Sequence, residues 1–248
     1  MAMWLIEMRS LIKKTLTGLA IVCLTSVQQL SAQSPEVRNI LNNSAGDRAM
    51  YDALVTYYPE EAERMIEFFQ SLVDQRMTQD EFTRTTTAFG QQFSQQNAHH
   101  IFQAPIQFVE QLLVHHIDTI NHISANYGWQ TCNLFVSNGP AGLPPEDIIT
   151  LTEDVDPSLG FDLVEAIYFG ETMPAGRSAP ADQDYMNLFR AIEGKVSQTE
   201  LDIIFNGDFS SPITCGALVN FVTAAMDAEY NGRDRVLAQI LELTYNPF

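Results

Sequence analysis

The chain has five histidines, and four of them come as neighbouring pairs, His99 with His100 and His115 with His116; His122 follows six residues on. Imidazole is a common metal ligand, so this density raises metal chemistry first. On a helix at about 100° per residue, with Val109 as zero, His115 falls at about 240°, Asp118 at about 180° and His122 at about 220°. Two imidazoles and a carboxylate on one face can supply nitrogen and oxygen ligands to Zn²⁺, given a further ligand from a neighbouring helix. H-x-x-D-x-x-x-H is not a strong metal signature, however. The apolar stripe of the same helix, made by Val109, Leu112, Leu113, Ile120 and Ile123, centres on the opposite side. The expectation is therefore a solvated face, with Zn²⁺ at His115, Asp118 and His122 as the alternative and no cofactor required. His116, at about 340°, falls inside the stripe and is expected as a hydrogen-bonded core histidine.

Other chemistry finds less support. There is no G-x-S-x-G elbow, H-E-x-x-H pair or phosphate-binding loop, and the acidic residues are spread without a preferred pair. Cys132 and Cys215 form no C-x-x-C pair and each lies in an apolar stretch, so they read as one structural disulfide. Closing that loop removes about 4 kcal/mol of unfolded-chain entropy in the simple chain model. Arg177, between Gly176 and Ser178, reads as an exposed loop arginine, with a mobile anion clamp as the sharper option. The ring pairs Tyr57-Tyr58, Phe68-Phe69 and Phe89 with Phe93 exceed what single helix faces bury. Most are expected in the core, with some left to line an interhelical pocket or a partner surface.

The elements that would position these residues read as helices. After Pro59, Ala62, Met65, Ile66, Phe69, Leu72 and Val73 recur at three- and four-residue spacing, with acids in the first turn. Thr78 with Glu81, and Ser197 with Glu200, are capping boxes that open two further helices. The histidine-bearing helix should start near Pro105 and stop at about Asn126, before Gly128. Glycine and proline cluster near 137–145 and again near 173–180, which marks two loops. Two terminal helices follow, one through Cys215, Leu218, Val222 and Ala225, and one through Val236, Leu237, Ile240 and Leu241. Alternating strand patterns are nearly absent. The expected fold is all-α, an irregular multi-helix bundle in a single domain over residues 33–248, tied by one disulfide.

The first residues carry an address. Arg9, Lys13 and Lys14 precede an apolar run from Leu16 to Val27, with small residues at Ser31 and Ala32, the layout of a secretory signal peptide cleaved after Ala32. The run is too short to cross a bilayer, and Val22 before Cys23 disfavours lipid attachment. Met8 followed by Arg9 makes a more typical start than Met1. No membrane span is expected after cleavage. The protein is placed as exported, periplasmic or extracellular.

Cleavage would change the chain's 13 basic and 31 acidic residues to ten and thirty, a net charge of −20. Arginines stand singly, Lys195 is the one remaining lysine, and no basic patch exists to meet phosphates. Nucleic acid and anionic membranes are excluded as partners on that ground. The functional expectation is an exported acidic α-helical binding protein, taking a protein or a small apolar ligand. The alternatives are a metal-binding protein or metal-dependent enzyme on the His/Asp face, and a structural or inhibitory partner protein.

Overall fold

A computed structural model describes residues 45–144, 156–207 and 209–245, with isolated positions at 35, 37, 39, 41, 147 and 151. The expected leader at residues 1–32 and its cleavage point lie outside the described residues. The description that follows concerns the unit Glu36–Phe248.

Among the described residues there are nine α-helices and no strands. Helix α1 spans Ala45–Tyr57 and α2 spans Pro59–Asp74. The chain leaves the helical region at Tyr58 because the proline ring of Pro59 crowds the residue before it, and that proline then opens α2. Helix α3, Gln79–Gln103, starts at the expected capping box: the Thr78 hydroxyl accepts the Glu81 N–H at 3.3 Å, and the Glu81 carboxylate accepts the Thr78 N–H at 2.9 Å. Its Thr- and Gln-rich middle is helical throughout, with Thr85 and Thr86 hydroxyls donating back to the Glu81 and Phe82 carbonyls.

Helix α4, Ile106–Asn138, is two helical stretches broken at Gly128, whose φ of 83° suits a residue without Cβ. The expected stop before Gly128 is thus a kink. The helix resumes and carries Cys132. A 3₁₀ turn, Pro140–Gly142, follows in the first expected loop. Then come α5, Leu159–Thr172; α6, Asp182–Ala191; α7, Gln198–Asn206; α8, Thr214–Asp227; and α9, Arg233–Tyr245. The second expected loop is present, because residues 173–181 are non-helical. Helix α7 begins at the Ser197–Glu200 capping box and ends at Gly207, left-handed at φ 64°.

Helix α5 lies at the centre and packs on α1, α3 and α4, while α4 also meets α8 and α9. Its approach to α3 is close: a Cβ on Gly170 would collide with the His100 carbonyl. Buried Leu112, Leu113, Ile167, Leu188, Val222 and Leu237 join five helices into the largest apolar cluster. Tyr51, Leu54, Met65, Phe69 and Leu72 form a second cluster between α1 and α2. In a third, Ile120, Ile123 and Phe135 surround Cys132 and Cys215, which are bonded across a Cα–Cα distance of 6.4 Å. No helix among the described residues is long and apolar enough to cross a membrane.

Candidate functional site

The histidine face is arranged differently from the sequence expectation. His115 is buried, and its Nε2 lies 2.7 Å from the buried Asp162 carboxylate of α5, with Asp156 at 3.8 Å from Nδ1. The Ser158 hydroxyl donates to the same Asp162 oxygen at 3.1 Å. The solvated-face expectation therefore fails at His115. An apolar stripe marks only where water is excluded by apolar neighbours. Here α5 packs on the flank of the stripe and buries a polar side chain for which it provides the hydrogen-bonding partner.

Asp118 is exposed, and His122 is half-buried beside Asn126 and Tyr127. The alternative ligand set of His115, Asp118 and His122 thus spans a buried, an exposed and a half-buried position. Among the described residues, no group of three or more His, Cys, Asp or Glu side chains is placed to hold a metal ion. His116 is half-buried against the Phe135 ring, 6.1 Å between centroids, and desolvation pushes its pKa down to about 4. The rings of His99 and His100 lie 3.6 Å apart.

Arg177 is not an exposed loop tip. Its guanidinium donates to the Phe102 carbonyl at 3.0 Å and to the Ala104 carbonyl, so it closes the C-terminal end of α3. The Gln103 side chain bonds the Arg177 backbone on both sides, at 2.9 Å each. A cation at a helix C-terminus meets unpaired carbonyls and the negative end of the dipole, which explains the choice of residue. Burial holds the guanidinium pKa below its usual value.

Rings and carboxylates converge at the end of α1 and the outer side of α5. Tyr57 lies 4.8 Å from Tyr168, 6.1 Å from Phe161 and 6.2 Å from Phe169, centroid to centroid. Tyr58 meets Tyr168 edge-on at 5.8 Å, and Phe108 of α4 stacks on Phe169 at 4.9 Å. These rings are half-buried, so the cluster forms a surface as well as packing. Two carboxylates sit within it. The Tyr57 hydroxyl donates to Glu165 at 2.6 Å, and the Tyr58 hydroxyl donates to Glu171 at 2.8 Å. The bond to Glu165 and then burial push the Tyr57 hydroxyl up to about 12, and burial, then Glu171, raises that of Tyr58. Both phenols stay protonated donors at any physiological pH, which fixes the two acids in place. The Tyr57-Tyr58 pair carries a legible signal of surplus rings, but its partners lie over a hundred positions away, beyond the reach of local spacing.

An open, shallow depression of about 300 Å³ lies elsewhere, lined by Asn187, Arg190, Ala191, Glu229, Tyr230 and Asn231. Its mostly polar walls do not resemble an apolar ligand site. No protein-family model, curated protein or solved structure matches this chain.

Proposed function

We propose that this protein is an exported, acidic helical binding protein that holds a cationic segment of a partner protein on the face built from Tyr57, Tyr58, Phe161, Glu165, Tyr168 and Glu171. The observation that carries this reading is the pair of carboxylates tethered by tyrosine hydroxyls inside a half-exposed ring cluster. Rings attract Lys and Arg through their faces, and a carboxylate beside them supplies the countercharge. Tyrosine offers large contact area with little rotamer freedom to lose, which makes it a frequent energetic anchor. The net charge of −18 supports the reading at longer range, since it speeds encounter with a cation. The disulfide suits an oxidising compartment outside the cytoplasm.

A short Arg/Lys-rich peptide titrated by calorimetry tests the reading. Tyr168→Ala should weaken binding about tenfold or more, and Glu165→Gln by a smaller factor, while added salt weakens the wild type. Equal affinity for wild type and both variants, or equal binding of a peptide with Glu in place of Arg and Lys, would contradict it.

A further inference from the structure

Asparagine stands before glycine at Asn138-Gly139, Asn206-Gly207 and Asn231-Gly232. In such a step the amide nitrogen of the glycine can attack the asparagine Cγ, because no Cβ on the glycine obstructs its approach. Whether it does so in a folded chain depends on its N–H being free of a carbonyl partner and on the backbone turning Cβ toward the attacking nitrogen. The five-membered ring that results nearly eclipses Cβ with that nitrogen, a rotation far from the helical ψ of about −42°.

The fold holds these steps differently. Asn138 ends α4, and the Gly139 N–H donates to the Phe135 carbonyl at 2.7 Å. The Asn138 amide is itself occupied, donating to the Ser137 hydroxyl at 2.9 Å. Asn206 ends α7, and the Gly207 N–H donates to the Ile203 and Ile204 carbonyls. Both steps thus combine helical backbone with a bonded nitrogen. Asn231 instead lies in the turn between α8 and α9, and it is exposed. Its side chain and the Gly232 N–H bond to no described residue, whereas its carbonyl accepts from Asn187 Nδ2 at 3.2 Å. In a trans peptide the N–H points opposite the carbonyl, so that bond holds the attacking nitrogen turned away from Asn187.

We propose that Asn231 is a site of spontaneous backbone modification, at which the folded protein converts asparagine into aspartate and isoaspartate while Asn138 and Asn206 persist, and that isoaspartate there loosens the junction of α6 and α9. The Gly232 nitrogen forms a bond to Asn231 Cγ, the Cγ–Nδ2 bond breaks, and ammonia leaves with the proton from Gly232, which closes a succinimide. Water, which reaches this exposed turn, then adds its hydroxyl to one of the two ring carbonyls and its proton to the nitrogen. Opening at Cγ gives aspartate on the original backbone. Opening at the main-chain carbonyl gives isoaspartate, whose backbone runs through the former side chain and is a carbon longer. There is no room for that carbon: even a Cβ on Gly232 would collide with the Asp184 carboxylate. That carboxylate accepts from Arg235 at 2.9 and 2.6 Å and from the Ala181 N–H at 2.8 Å, which ties α6 to α9. This site is separate from the Tyr/Glu face, so each can fail without the other.

Peptide mapping by mass spectrometry is the test, on purified protein held at physiological temperature over a range of mildly alkaline pH, folded or in denaturant, with circular dichroism confirming helix content. In the folded protein Asn231 should convert about tenfold or more faster than Asn138 or Asn206, and in denaturant, where no amide is held, the rates should draw together. The folded rate at Asn231 should rise with pH, because the attacking nitrogen must lose its proton. Asn231→Gln, whose longer side chain closes the ring far more slowly, should abolish conversion at this position with helix content unchanged. After chromatographic separation the isoaspartate form should melt below the unmodified protein, and Asn231→Asp close to it. Equal folded rates at Asn138, Asn206 and Asn231 would overturn the proposal. So would an Asn231 that stays intact in the folded protein, or an isoaspartate form that melts with the unmodified one.

Discussion

His116 and His115 are adjacent in sequence, yet burial treats them in opposite ways. His115 meets Asp162 and Asp156, so its ring nitrogens face carboxylates. His116 meets a phenyl ring, and desolvation alone lowers its pKa from 6.5 to about 4. Between those values the unfolded chain takes up a proton that the folded chain does not. Stability is then fully present above about pH 6.5 and declines as the pH falls toward about 4. Replacing His116 by Phe removes the titrating group. Thermal midpoints followed against pH should fall less steeply in His116→Phe than in the wild type across that window, and parallel profiles would show that His116 is not desolvated. The helical wheel placed Asp118 in solvent correctly. It missed His115 because its partner Asp162 is 47 residues away, on a helix whose contact with α4 leaves no trace in local spacing.

At the scale of elements, starts were more legible than ends. The Thr78–Glu81 and Ser197–Glu200 capping boxes are local chemistry, and both occur as the spacing predicts. The end of α3 is set from outside. Ala175 donates to the Gln103 carbonyl at 2.8 Å, and Arg177, three-quarters of a hundred residues downstream, covers the last carbonyls. Arg177→Ala would leave these acceptors without their charged donor, and is expected to lower stability by about 1–3 kcal/mol in denaturant unfolding. Arg177→Lys should recover part of that, because one terminal nitrogen of Arg177 reaches both carbonyls and an ammonium can also donate to two acceptors. Full stability in Arg177→Ala would mean that the loop, not the guanidinium, holds the end of α3. The same long-range dependence explains α4: glycine at position 128 correctly marked a break, but the third apolar cluster and the Cys132 bond draw the following residues back into helix.

At the scale of the whole molecule, fold class and disulfide were legible because helical periodicity and two cysteines lying in apolar stretches outside any C-x-x-C pair are properties of the sequence itself. The candidate surface was legible only as surplus. Paired rings signalled more aromatic area than one face can bury, but which rings remain half-exposed depends on how α1 meets α5. Carboxylates held by tyrosines present an anionic aromatic face at the end of α1. The central claim is that cations are recognised at this face and not by acidity spread over the surface. Backbone amide NMR of the isotopically labelled protein, titrated with the Arg/Lys-rich peptide, tests it most directly. Saturable shift changes confined to Tyr57, Tyr58 and the α5 residues from Phe161 to Glu171 are the predicted result. Small, unsaturated changes scattered over the acidic positions would contradict it.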